Sequence, residues 1–189
     1  EGGAIITNNT KVAEKIRMLM AHGIGTTTLQ REQSEKPWYR DTVIPGFNMR
    51  MSNINAAIGV EQFKKLEKLN YSRRERARYL GDRLRHISRL EIPFEDKDAY
   101  HVYQMYVIKV GKDINRENFV RRLRERGIGA SVHFDPPIHE QTFYKNKYRE
   151  GVLDITENLA RRVVTLPMYP DIGFDDLDFI ASSIEDIFF

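Results

Sequence analysis

The sequence predicts an α/β protein, and three observations carry that reading. Val102, Tyr106, Ile108 and Val110 occupy alternating positions of a β-rich stretch over residues 100–110. Elsewhere apolar residues recur three and four apart, as Val12, Ile16, Leu19 and Met20 do. In the second half, strand and helix patterns alternate three times, the order of an α/β layer of modest size.

Taken in order, Gly2-Gly3-Ala4-Ile5-Ile6-Thr7 reads as a short buried strand after a glycine turn. Asn8-Asn9-Thr10 supplies a turn and an N-cap for a helix over 10–21, which His22-Gly23 closes. Residues 23–46 are polar and irregular, with Pro37 and Pro45, and a loop of that length is usually functional or mobile. Ser52 or Asn53 caps a helix carrying Ile54, Ile58, Phe63 and Leu66. A break near Asn70 leads into a charged helix over 72–89, with Tyr79, Leu80, Leu84 and Ile87 as its apolar stripe. After the 100–110 strand, Asn115 caps a helix bearing Phe119, Val120 and Leu123, and Gly127 ends it. Residues 130–134 form a strand, 156–163 a helix, 164–167 an extended segment and 175–188 a closing amphipathic helix. The domain boundary falls in the long helix, near 70–92.

Composition narrows the classes. The 189 residues are 41% hydrophobic and 11% aromatic, too apolar for a disordered tail. Apolar runs of only a few residues, such as 105–108, exclude a membrane-spanning helix. The absence of Cys removes disulfide scaffolds, Cys-ligated zinc and thiol nucleophiles. No signal-peptide pattern opens the chain, and Glu1 in place of Met looks like the middle of a longer sequence. A net charge of +3 suits an anionic small molecule better than nucleic acid, which needs a concentrated patch. The run Arg73-Arg74-Glu75-Arg76-Ala77-Arg78 is interrupted by acids at helical spacing, so it reads as a solvated face with local ion pairs.

Few residues suggest chemistry. None of the five His forms a helical zinc pair, so no metal site is expected. His133 and His139 flank Asp135-Pro136-Pro137 where a strand runs into a loop, a common place for site residues. The alternative is two ordinary loop histidines. In Gly46-Phe47-Asn48-Met49-Arg50-Met51-Ser52, Asn48 and Arg50 point away from Phe47, Met49 and Met51 if the segment is extended. An amide and a guanidinium fork side by side form an anion-binding pair, unless both serve nearby carbonyls. There is no Gly-rich phosphate loop and no recognisable nucleophile.

Four blocks in order resemble the DegT/DnrJ/EryC1/StrS family of pyridoxal-phosphate (PLP)-dependent sugar aminotransferases. They are Glu1-Gly2-Gly3-Ala4-Ile5-Ile6-Thr7-Asn8 with His22-Gly23; residues 46–59; Arg126-Gly127-Ile128-Gly129-Ala130-Ser131-Val132-His133-Phe134 with Pro137 and His139; and Leu166-Pro167-Met168-Tyr169-Pro170. The resemblance implies a fold-type-I PLP-dependent transferase. Residues 1–70 would end the large PLP-binding domain, 71–92 would connect, and 93–189 would form the small C-terminal α/β domain. The lysine that carries PLP in the family falls before Glu1, so this segment alone should be inactive. By the same resemblance Asn48 reaches the PLP phosphate of a neighbouring subunit, which implies a homodimer with shared active sites. Arg50, His133 and His139 lie near the nucleotide-sugar substrate. Trp38, Tyr39 and Arg40 are further candidates for sugar or nucleotide contacts, or else an ordinary loop anchored by Trp38. The implied reaction moves an amino group from an amino-acid donor, glutamate, to a nucleotide-linked keto-sugar in the cytoplasm, for polysaccharide or antibiotic-sugar synthesis. Two alternatives are a dehydratase of the same family, which uses the pyridoxamine form, and a non-catalytic binding module. The second would expose an open sheet edge and aggregate or require a partner.

Overall fold

A computed structural model describes residues 2–147 and 153–188. Glu1 of the first motif block and Phe189, the expected domain end, lie outside the described residues. The chain divides into two compact units, 1–65 and 66–189.

The first unit holds α1 (Thr10–Met20), α2 (Thr28–Glu32) and α3 (Asn53–Phe63). Asn9 caps α1 by accepting the Val12 N–H at 3.2 Å, and Ser52 caps α3 by accepting from Asn55 at 3.2 Å. The helix α2 lies within the stretch expected to be irregular. Its Thr27 and Gln30 form a reciprocal capping box, the signal the sequence carried for it. The strand expected over Gly2–Thr7 is not formed. No described residue pairs with it, Ile6 is 95% exposed, and a strand without a partner leaves its ladder unmade.

The second unit contains α4 (Leu66–Leu84), β1 (Leu90–Glu91), β2 (Tyr106–Val110), α5 (Arg116–Glu125), α6 (Thr142–Lys147), α7 (Asp154–Ala160), β3 (Val163–Leu166) and α8 (Phe174–Phe188). The sheet runs β1-β2-β3, antiparallel throughout, with Tyr106 opposite Leu166 and Ile108 opposite Val164. One face of β2, Tyr106, Ile108 and Val110, is buried. Leu80 and Leu84 of α4, Phe119 and Leu123 of α5, and Leu177, Ile180 and Ile184 of α8 join it in one core. Each set follows the three-and-four spacing of a helix that buries one stripe.

Several boundaries move. The helix break comes at residues 64–65 rather than near Asn70, and α4 starts at Leu66. There Leu66 resumes the helix, and Asn70 is buried within it, its side chain accepting from Arg73. The stretch 100–105 is not strand; Tyr103 adopts φ +46°, which no ladder accommodates. The 130–134 segment contributes a single bridge, Ser131 to Thr165, before Asp135-Pro136-Pro137. Val163 belongs to β3, not to the helix before it. The helix α5 follows the expectation closely. Asn115 accepts the Asn118 N–H at 2.8 Å. At its other end Gly127 takes φ +82°, while Ile128 N–H reaches Leu123 O at 3.1 Å and Gly127 N–H reaches Arg124 O at 2.9 Å, a Schellman closure.

The basic run on α4 keeps one local ion pair, Arg76 with Glu75 at 3.3 Å, but makes mostly tertiary contacts. Arg74 is ion-paired with Glu95 and donates to His101 O at 2.7 Å. Arg76 Nε donates to Ile172 O at 2.7 Å, and Arg73 Nε to Val102 O at 3.0 Å. These guanidiniums bind the helix to the segments around it, a use that sequence spacing does not reveal.

Candidate functional site

In the first unit the geometry begins with two glycines. The turn after α1 places His22 at φ +63° and Gly23 at φ +72°, and Gly23 N–H closes onto Met18 O at 2.8 Å. A Cβ on Gly23 would lie 1.7 Å from Ile44 O, and one on Gly46 would lie 2.0 Å from Gly23 N. Only glycine permits this close backbone approach. The turn then clasps the segment that follows the long loop. Phe47 N–H donates to Leu19 O at 2.7 Å, His22 N–H to Phe47 O at 2.8 Å, and Met49 N–H to Met20 O at 2.9 Å.

This clasp fixes Asn48 and Arg50 as a pair. Arg50 Nε donates to Asn48 Oδ1 at 3.3 Å, and Arg50 Nη2 meets His22 Nε2 at 3.4 Å. A guanidinium only donates, so His22 Nε2 must accept and carry its proton on Nδ1. The Asn48 amide NH₂ has no acceptor among the described residues. Both side chains are exposed, and together they offer amide and guanidinium donors to an anion. The sequence singled out Asn48 and Arg50 but not His22 as their neighbour. It lies 28 positions earlier, and only the two glycines hinted at the approach. Trp38 and Tyr39 are 76% and 60% exposed, so Trp38 is not a buried anchor.

In the second unit, His133 Nδ1 lies 2.9 Å from Thr165 Oγ1. Thr165 is buried and is locked to Ser131 by backbone bonds of 3.0 and 2.8 Å. With Nδ1 engaged, Nε2 of His133 is the nitrogen without a described partner. Two residues on, Asp135 is ion-paired with Arg116 at the start of α5. Arg116 is only 6% exposed, and its Nε is buried without a partner among the described residues. From the same helix Arg124 donates to Ala130 O at 3.0 Å. One helix therefore holds both ends of the segment that carries His133. Neither Arg116 nor Thr165 was a candidate from sequence, where a charged first helical residue looks solvated.

His139 is placed separately. Its Nε2 lies 3.2 Å from Glu157 Oε1, which also accepts the Leu153 N–H at 3.1 Å. His139 first, and then that backbone donor, hold the Glu157 carboxyl below the usual glutamate range. The possible ligand atoms of His139, Glu140 and Glu157 lie within 4.8 Å of one another. Glu157 is already bonded to His139, to Leu153 and, at 3.5 Å, to Arg161, so the cluster is satisfied as it stands. His133 and His139 have different partners and do not form one hydrogen-bonded unit.

Three comparisons bear on this geometry. The model of the DegT/DnrJ/EryC1/StrS aminotransferase family matches residues 1–185. The spore coat polysaccharide biosynthesis protein SpsC of Bacillus subtilis is 32% identical over 99% of this chain and 49% of its own length. The chain spans about half the length of the curated relatives it matches. Among solved structures, Helicobacter pylori PseC, an aminotransferase involved in the biosynthesis of pseudoaminic acid, superposes with TM-score 0.83 at 21% identity, covering 95% of this chain and 47% of that one. A DegT DnrJ EryC1 StrS aminotransferase from Brucella abortus gives TM-score 0.79 at 27% identity, covering 96% and 44%.

Proposed function

The chain belongs to the DegT/DnrJ/EryC1/StrS aminotransferase family, and from that premise we propose that its protein is a PLP-dependent aminotransferase that aminates a nucleotide-linked keto-sugar. The observation that carries the reading is the clasped Asn48–Arg50 pair, exposed and rich in donors, with Asn48 at the position where the family resemblance implies a phosphate contact.

The donor set fits the cofactor. A phosphate presents several acceptor oxygens, and the free Asn48 amide together with the Arg50 fork presents only donors toward it. Held by the Gly23–Gly46 clasp, these donors need no reorganisation before they bind, which lowers the ordering cost. When bound, PLP supplies the electron sink for amino-group transfer. Arg50 and His22 keep the Asn48 carbonyl turned inward, so that its NH₂ faces the anion. His133, oriented through Nδ1 by Thr165, offers Nε2 to an oxygen of the nucleotide sugar. His139 is a second substrate contact on this reading, although its bond to Glu157 must open or be shared for Nε2 to serve.

Asn48 acts on a neighbouring subunit's cofactor in a homodimer with shared sites. The helix α3 buries none of its residues, and Ile54 and Phe63 are each 75% exposed. An apolar helix of that kind is normally covered by other protein. The domain reading follows: a first part through residue 70 from the large cofactor-binding domain, a connecting helix, and a small α/β domain from residue 93. No helix among the described residues is long and apolar enough to cross a membrane; the cytoplasm is the proposed location. Glutamate is the proposed amino donor and polysaccharide synthesis the proposed purpose.

The half-reaction tests the assignment. Full-length protein loaded with PLP and mixed with L-glutamate should release 2-oxoglutarate one for one as the cofactor absorbance changes to that of its amine form. An unchanged spectrum with no 2-oxoglutarate would overturn the reading.

A further inference from the structure

The second unit contains a small polar cavity that the proposed reaction does not use. It has a volume of about 210 Å³ and is lined by Arg74, Arg78, Gly81, Arg85, Tyr103 and Tyr106, and by the carboxylate of Glu95. We propose that this cavity is a binding site for a small tetrahedral dianion of the phosphate class, held by the Arg78 guanidinium and the Tyr106 hydroxyl.

Charge is the first argument. Three guanidiniums line the space, and two are already matched: Arg74 with Glu95 and Arg85 with Asp82. Arg78 has no hydrogen bond or ion pair among the described residues. The acids that helical spacing offers it, Glu75 and Asp82, are bound to Arg76 and Arg85. Arg78 is exposed at the cavity mouth, and its fork is open to an oxyanion.

Tyr106 is the second and independent argument. Its residue is 1% exposed, and its hydroxyl meets no acceptor among the described residues although it lines the cavity. The hydroxyl is reached through the cavity rather than sealed in protein, so an occupant of the cavity is the partner open to it. Burial, as the largest cause, pushes the Tyr106 hydroxyl well above its usual pKa. It stays a neutral hydroxyl at physiological pH, able to donate to an oxyanion in the cavity.

Gly81 is the third. It sits in the interior of the 19-residue α4, where glycine disfavours the helix. A Cβ there would lie 3.4 Å from Tyr106 Oη and 3.6 Å from Ile92 Cδ1. That is ordinary packing distance, so alanine would fit but would occupy the space beside the hydroxyl. The volume is below the range of sites for drug-sized ligands, so the occupant is a free oxyanion or a terminal phosphate group rather than a whole nucleotide.

The test is calorimetric titration of inorganic phosphate into the full-length protein, with and without saturating PLP, and with acetate as the monoanion control. The expected result is one phosphate per chain that persists when PLP is saturating. Affinity should fall roughly tenfold or more in Arg78→Ala and in Tyr106→Phe, since each removes a hydrogen bond to a charged group. Gly81→Ala separates the site from the fold: it should raise the melting temperature while weakening phosphate binding. Affinities equal to wild type in all three variants would overturn the site. Acetate binding as tightly as phosphate would overturn the assigned class. Because the PLP-saturated arm removes the cofactor site from the signal, failure here leaves the aminotransferase reading untouched.

Discussion

Asn48 and Arg50 are brought together because the turn after α1 clasps the backbone from Phe47 to Met49, and their exposed side chains bond each other and, through Arg50, His22. The consequence is specific. Asn48→Ala should leave the clasp intact, since its contribution there is main-chain, while removing one donor to the cofactor phosphate. A hydrogen bond to a charged group contributes about 1.5–3 kcal/mol, so PLP affinity in the full-length protein should fall about tenfold or more. Absorbance titration checks this, with an unchanged melting temperature as the control. Asp135 makes the opposite case. Asp135→Ala leaves the buried Arg116 with only a 3.5 Å contact to the exposed Glu117. The loss should be about 2–3 kcal/mol, below the 3–5 of a fully buried pair because Asp135 is partly exposed. Chemical denaturation measures it.

At the scale of elements, the two closures after α1 and α5 show what the sequence can and cannot disclose. Both end in the left-handed region, at His22 and Gly23 after α1 and at Gly127 after α5, and both were legible as helix stops. That the first also receives a second glycine was not legible, because the contact joins Gly23 to Gly46 across a polar loop without periodicity. Substituting alanine at either should drive Cβ into backbone. Gly46→Ala is therefore expected to cost several kcal/mol and to weaken PLP binding along with stability, unlike Asn48→Ala. Limited proteolysis and thermal melting read the two effects together. The missing strand at Gly2–Thr7 has a different cause: its pattern was correct for a buried strand, but pairing is decided by what lies beside it.

Ion pairs also belong to the elements they join. Glu91 is held below the usual glutamate range by Lys109 first and Arg162 next, Glu95 by Arg74 and then the His101 N–H, and Glu157 by His139 and then the Leu153 N–H. A carboxyl whose folded pKa is lowered adds stability above its unfolded value, and that stability is lost as pH falls through the folded one. The second unit should therefore weaken as pH drops below about 4.5, the ordinary glutamate value. Melting curves from pH 6 to 3 should show the decline, and it should be shallower in Glu157→Gln and Glu91→Gln.

Across the whole molecule, the α/β class, the core stripes and the helix caps were visible because periodicity and capping act locally. Leu80, Leu84, Phe119 and Leu123, named from spacing alone, are all buried, and truncating one, as in Leu84→Ala, should cost about 2–5 kcal/mol. The polar contacts that organise the candidate sites were not visible. Thr165 lies 32 residues from His133 and Arg116 lies 19 from Asp135, and no spacing rule links them. The central claim concerns amino transfer to a sugar, and it is tested most directly by product. Full-length protein with PLP, L-glutamate and a nucleoside-diphosphate keto-sugar should yield, by mass spectrometry, the same nucleotide with the keto oxygen replaced by an amine, and with nitrogen-15 label when the glutamate carries it. Unlabelled, unchanged keto-sugar from a protein that still binds PLP would contradict the account.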